Sequence, residues 1–319
     1  MNVFVSGSET ISIGCRLQRT LEKSDHAVLL RETRLGKHNA ARVLPQFSSV
    51  AIFLLNLDSA PHRLAAMKEQ LDALGLAFER FPGVAGKLLS VEELEAVAPP
   101  RLWEGRPRRT PGEIGCFLSH RALLETVVAR NLPFACILED DVRLSPDFAA
   151  ILNAARNLPQ QVDVLKLEIA MPRAKIPFIR VSAFADRDLV FLPSDGWPGA
   201  AAYIVTQRGA KSLLARMPVM IAAYDRQAFD PPAADLAIFH LFPLPAVQEG
   251  ESEMGRAPRL PKAPKPRRSP ARVLRDAVRK GLRSGKRRAG HLFFQINLLG
   301  IKKALFGRRI RKRADLVRV

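Results

Sequence analysis

The sequence has no apolar run long enough to cross a bilayer, and its N-terminus lacks a charged segment followed by an apolar one. Neither a membrane-spanning helix nor a secretory leader is expected, so the chain reads as made and kept in the cytosol. Cysteine is scarce. Cys15, Cys116 and Cys136 are odd in number and show no paired metal spacing. They read as small buried apolar residues in a reducing compartment rather than as a disulfide framework. What is present is an ordinary globular composition, 319 residues with 47% hydrophobic and 25% charged. That suffices for one large domain or two smaller ones.

The net charge of +19 is unevenly spread. Residues 255–319 hold 22 Lys and Arg against two acids, Asp276 and Asp315, whereas residues 1–254 hold 28 basic and 29 acidic residues. A near-neutral body therefore precedes a highly basic tail. Residues 256–270 are rich in Pro, Lys and Arg and read as an extended linker. Residues 271–282 have helical spacing at Leu274, Val278 and Leu282, and residues 291–301 are apolar before Lys302, Lys303 and the basic run 308–313. Apolar helical segments embedded in Lys and Arg suit an anionic lipid surface. The same charge would attract nucleic acid, but no aromatic platform or recognised nucleic-acid module accompanies it. The expected partner of residues 256–319 is thus an anionic membrane, with nucleic acid not expected, and the location is peripheral on the inner face of the cytoplasmic membrane.

Residues 1–48 are weakly patterned and read as an extension, with the ordered domain over 49–254. Residues 50–55 form an apolar run typical of a strand buried on both faces. Asp58 or Ser59 is placed to cap a following helix with Pro61 in its first turn, Leu64, Met67, Leu71 and Leu74 on one face, and Gly75 as the stop. Thr110-Pro-Gly-Glu113 fits a capping box opening a helix to Arg130. Further strands are expected at 78–81, along the apolar stretch that runs from Phe134 into the acids at 139–141, and at 162–169, 200–206 and 238–241, with a helix at 209–217. Alternating strands and helices argue an α/β domain with a mainly parallel sheet, whose ligands bind beyond the carboxyl ends of the strands. At one such end stand three consecutive acids, Glu139, Asp140 and Asp141. They repel one another and are costly to desolvate. A solvated acidic turn would explain them; so would Mg²⁺ or Mn²⁺, which suit clustered oxygen ligands together with substrate phosphates.

Three motifs, in order, carry a resemblance: Asn56-Leu-Asp58 with Arg63, Gly112-Glu-Ile-Gly-Cys-Phe-Leu-Ser-His120, and Ile137-Leu-Glu-Asp-Asp-Val142. A fourth is the small-residue segment 199–206 with Tyr203, followed by Gly209-Ala210. Over about residues 50–250 the chain resembles glycosyltransferase family 25, which includes bacterial lipopolysaccharide and lipooligosaccharide β-galactosyltransferases and animal collagen galactosyltransferases. It departs at Val84-Ala-Gly86, where the family often has an acid before the glycine, and the segment 224–231 matches the family's Asp-containing loop loosely.

The resemblance implies a GT-A-like nucleotide-sugar-binding domain that moves a hexose, with galactose expected, from a UDP-sugar to a lipid-linked cell-surface glycan, with inversion. A non-catalytic adhesion protein with a relic domain, or transfer of another sugar, is the alternative. Asp140 and Asp141 are the expected ligands of Mn²⁺ or Mg²⁺, and Glu139 is a further ligand or a catalytic group orienting the sugar. Asn56, Asp58, Arg63, Glu113, Ser119, His120 and Asp140 are expected on the donor side. Asn56 and Asp58 read equally as a turn and cap, Arg63 as a solvated helix residue, Glu113 as a pure capping residue, and His120 as a partner of the acidic strand. Inversion needs a base on the acceptor side; Asp225 is the first candidate, with Asp230 and Asp195 behind it. Trp197 and Tyr203 are the candidate acceptor contacts.

Overall fold

The computed structural model describes residues 50–103, 109–170, 175–192, 198–229, 236–249 and 292–312, all within the unit Ser48–Val319. The extension before residue 49, the linker and helix proposed for 256–282, and Asp195, Trp197 and Asp230 lie outside the described residues.

Among the described residues the strands are β1 Ala51–Asn56, β2 Glu79–Pro82, β3 Phe134–Glu139, β4 Val142–Leu144, β5 Val164–Lys166, β6 Lys175–Phe184, β7 Arg187–Phe191, β8 Ala202–Thr206, β9 Ile238–Phe242, β10 Ala246–Gln248 and β11 Arg308–Lys312. Nine of them make one sheet in the order β11-β6-β7-β9-β5-β8-β3-β1-β2, while β4 and β10 pair separately. The pairs β1–β2, β1–β3 and β5–β9 are parallel, and β8 runs antiparallel to both β3 and β5. From β2 to β9, therefore, all strands except β8 point the same way. The centre is mainly parallel in direction, and its margin of β7, β6 and β11 is antiparallel.

The helices are α1 Pro61–Ala73, α2 Val91–Val97, α3 Pro111–Ala129, α4 Phe148–Ala154, α5 Gln207–Ala215 and α6 Tyr224–Phe229, then α7 over residues 292–299 and α8 Ile301–Phe306. Side chains alternate across β1 and β3. Ile52, Leu54, Cys136 and Leu138 meet Met67 and Leu71 of α1 and Phe148, Ile151 and Leu152 of α4. Phe53, Leu55, Ala135 and Ile137 meet Phe117, Leu123, Leu124 and Val127 of α3 and Leu213 of α5. Both faces are covered, which is why these strands read as unbroken apolar runs.

The α3 capping box forms as expected: Thr110 Oγ1 accepts from Glu113 N at 3.1 Å and Glu113 Oε2 accepts from Thr110 N at 2.8 Å. The α1 cap is a correction. Ala60 occupies that position without a side-chain bond, because Asp58 is drawn to Arg80. Asn56 Nδ2 instead donates to Ala60 O at 3.0 Å. Part of the basic C-terminal segment is joined to the sheet: β11 pairs with β6, and Phe294, Leu298 and Leu299 of α7 pack on the core.

Candidate active site

Because β1 and β3 are parallel neighbours, their carboxyl ends lie side by side, with Leu55 opposite Glu139. This brings Asn56 against Asp140 across 84 positions of sequence: Asn56 Nδ2 donates to Asp140 Oδ2 at 2.6 Å. Arg63, one turn into α1, places its guanidinium 3.3 Å from Asp140 Oδ1. Arg80 on β2 donates to Asn56 Oδ1 at 3.1 Å and pairs with the mostly exposed Asp58. Sequence reasoning missed Arg80; its place on a strand beside β1 was the available signal.

The three acids do not converge on one point. Strand alternation turns Glu139 toward α3, where His120 Nε2 lies 2.9 Å from its Oε1. Asp140 turns to the opposite side, toward Asn56 and Arg63. Asp141 lies beyond the strand and accepts from Gln248 Nε2 of β10 at 3.0 Å. Part of the repulsion expected of the triplet is thus met by protein groups. Asp141 keeps a deficit: among the described residues its buried Oδ1 has no hydrogen-bond partner. Burial, with Glu139 and Asp140 nearby, pushes its carboxyl up to about 6. Burial also raises Asp140 above the ordinary carboxylate range, despite Asn56 and Arg63.

His120 is fully buried and held on every side. Its Nδ1 lies 3.1 Å from the Tyr203 hydroxyl, which lies 3.0 Å from that of Tyr224, and the Tyr224 ring stacks on the imidazole with centroids 4.2 Å apart. An ionised Glu139 can only accept, so Nε2 carries a proton. In the neutral imidazole Nδ1 then accepts from Tyr203, which accepts from Tyr224. Burial holds both phenols well above their ordinary range, so they remain donors.

Several expected contacts are corrected here. Tyr203 is fully buried with its hydroxyl taken by His120 and Tyr224, so it orients His120 rather than meeting an acceptor. Ser119 is also buried; its hydroxyl accepts from Val84 N at 2.8 Å and donates to Gly115 O at 2.7 Å, tying α3 to the loop after β2. That loop comes very close: a Cβ at Gly115 would meet Val84 O at 2.3 Å, which leaves room only for glycine. Glu113 spends one oxygen on the capping box and the other on Arg109 at 2.7 Å. Replacing Glu113 by alanine is expected to cost about 1 kcal/mol, seen as a lower urea midpoint, with the donor concentration for half-maximal rate unchanged. A tenfold rise in that concentration would restore Glu113 to the donor site.

A second charged group was not singled out in the sequence. Lys166 ends β5 and lies opposite both Tyr203 and His240. Its Nζ donates to Gly199 O at 2.7 Å and stands 4.9 Å from the Phe229 ring centre. Glu168, also fully buried, accepts from Ala201 N at 3.1 Å through Oε1, while Oε2 has no hydrogen-bond partner among the described residues. Burial pushes the glutamate up and the lysine down, each toward its neutral form. Asp225 borders this group: Oδ2 accepts from Gly199 N at 2.9 Å and Oδ1 from Arg226 N at 2.7 Å. It is the partly exposed carboxylate there.

This geometry agrees with a sequence comparison. The profile of glycosyltransferase family 25 (LPS biosynthesis protein) matches residues 50–227, more than half of the chain. The chain belongs to glycosyltransferase family 25. Relatives in the family include a "Glycosyltransferase 25 family member" of Drosophila melanogaster, 35% identical over 179 residues, covering 53% of this chain and 28% of the relative. "Procollagen galactosyltransferase 1-B" of Xenopus laevis is 29% identical over 189 residues, covering 56% and 30%. The match thus spans under a third of each of these relatives. Among solved structures, a glycosyltransferase involved in glycosylation of the major capsid of PBCV-1 aligns over 52% of this chain and 65% of its own, with 9% identity and a TM-score of 0.26. The family profile covers Asn56, Arg63, Asp140 and Asp141, together with His120 and Asp225.

Proposed function

We propose that this chain transfers a hexose, galactose in the first instance, from a uridine diphosphate sugar to a lipopolysaccharide-type or related surface glycan, with inversion on a GT-A-like domain. One observation carries the reading. In a member of family 25, Asn56, Arg63 and Asp140 meet at the carboxyl ends of two parallel strands, with Asp141 next in the chain, the place where α/β sheets bind ligands. The family description names lipopolysaccharide biosynthesis, and relatives are named galactosyltransferases.

The orphaned, buried Asp141 Oδ1 and its raised proton affinity fit a divalent cation, Mn²⁺ or Mg²⁺, which Asp141 and Asp140 would hold. Bound there, such an ion would neutralise a diphosphate and stabilise its departure. Arg63 adds a fixed planar cation suited to phosphate oxygens. Asn56, locked by Asp140, Ala60 and Arg80, shapes the nucleoside side. Glu139, oriented by His120, faces the sugar, and Asp225 accepts the proton of the acceptor hydroxyl. The test is UDP release from a panel of UDP-sugars with Mn²⁺ present. Fastest release from UDP-galactose is expected; release no faster than background from every donor would overturn the reading.

The acceptor and the location rest on the C-terminal segment. Phe293, Ile301, Phe306 and Ile310 are each more than 60% exposed, beside Lys302, Lys303 and Arg309. Such a surface suits an anionic bilayer, to which each basic residue contributes about 1 kcal/mol, and a lipid-linked acceptor would be reached there on the inner face of the cytoplasmic membrane. Because residues 292–312 are joined to the sheet, substitution tests this better than deletion. Changing Phe293 and Phe306 to serine is expected to lower binding to anionic vesicles on the order of 100-fold, since each buried Phe contributes about 1.5–3 kcal/mol. Unchanged sedimentation with the vesicles would exclude this surface.

A further inference from the structure

We propose that Cys116, His120 and Glu139 form a binding site for a thiophilic divalent cation, zinc foremost, separate from the position at Asp140 and Asp141. Their ligand atoms all lie within 4.8 Å of one another. Cys116 and His120 are four residues apart on α3, so a single helical turn stacks thiol and imidazole on one face. Glu139 reaches them from the end of β3. Thiolate, imidazole and carboxylate are the side chains that bind zinc, and three protein ligands with a fourth position open is the arrangement zinc adopts where it meets water or a substrate.

The adjustment required is small. Zinc bond lengths of about 2.0–2.3 Å in a tetrahedron separate ligand atoms by roughly 3.3–3.8 Å. The His120–Glu139 contact of 2.9 Å would open by about half an ångström, and no pair, all lying within 4.8 Å, would close by more than about 1.5 Å. Side-chain torsions supply both. The histidine is already aimed: Tyr203 bonds Nδ1 and Tyr224 stacks on the ring, leaving Nε2 toward Glu139. On binding, Nε2 gives up its proton to the ion and Nδ1–H donates to the Tyr203 hydroxyl, an outer contact of the kind that orients metal-ligating histidines. Cys116 and Glu139 are partly exposed whereas His120 is buried, so an ion can reach the site. The surroundings favour a cation. Besides burial, Glu139, Asp225, Asp141 and Glu113 all raise the proton affinity of the Cys116 thiol; Cys136, in the opposite core layer, is raised by burial alone.

The experiment titrates the full chain, freed of metal, with Co²⁺ and then with Zn²⁺ as competitor. Stoichiometric cobalt is expected to produce a thiolate-to-cobalt charge-transfer band that zinc abolishes. Cys116→Ser should remove the band, and Tyr203→Phe should weaken zinc binding by about tenfold or more. Asp141→Asn should keep the band, which separates this site from the cation of the transfer reaction. Protection of Cys116 from alkylation by zinc gives the same decision in the unmutated chain, should the serine variant fail to fold. No band and no protection in the unmutated chain, a band that survives Cys116→Ser, or one lost in folded Asp141→Asn overturns the proposal.

Discussion

Asp141→Asn is expected to lower sugar transfer on the order of 10²–10³-fold, the usual effect of removing one preorganised stabiliser of transition-state charge. The fold should survive, because the asparagine keeps the shape of the side chain and removes a buried carboxylate with an unpartnered oxygen. The direction of the pH effect follows from the same group. Its folded carboxyl is raised from 3.8 to about 6, so between these values the folded chain holds a proton that the unfolded chain releases. Stability of the metal-free protein therefore falls as pH rises from about 4 to about 6 through this group, and Asp141→Asn removes that contribution. Turnover assays beside urea denaturation at several pH values read both effects. Full activity of the folded variant would take Asp141 out of the reaction.

Gly199→Ala should produce the largest loss of stability. Gly199 has a φ of +111°, and an added Cβ would lie 2.3 Å from Glu168 Oε1 and 2.7 Å from Ala170 N. Backbone strain and overpacking of an interior are each worth about 1–3 kcal/mol, so a total of about 3 kcal/mol or more is expected. The damage reaches the site, because Gly199 O accepts from Lys166 and Gly199 N donates to Asp225. Gly75 is the control. It also has positive φ, +66°, but nothing lies within 4 Å of its added Cβ, so alanine there costs only the left-handed strain of about 1–2 kcal/mol. Urea midpoints for the two variants decide; equal losses would mean that the contact with Glu168 yields without cost.

The parts of the site carried by strong local patterns were legible in the sequence. The unbroken apolar runs of β1 and β3 place Asn56 and the acidic triplet at strand ends, and the Thr110–Glu113 box marks the start of α3. What could not be read depended on tertiary partners. A strand's sequence carries no direction, so the reversal of β8 and the antiparallel margin were hidden. The divergence of Glu139, Asp140 and Asp141 requires knowing what flanks each face. Lys166 could not be singled out in its strand because its partners, Gly199 and Phe229, are 33 and 63 positions away. Tyr203 and Ser119 carry polar atoms that fit a binding role as well as an internal one; only their burial separates the two. The apolar residues of 292–299 showed in the sequence, but not that one side of them rests on the core.

The central claim is that a divalent cation couples the carboxylates at the end of β3 to the diphosphate of a sugar nucleotide. Calorimetric titration of UDP-galactose with and without Mn²⁺, on the unmutated chain and on Asp141→Asn, tests it most directly. The account predicts that Mn²⁺ tightens binding on the order of tenfold or more and that this gain vanishes in the variant. Binding that ignores the metal, or a gain that Asp141→Asn retains in full, would contradict it.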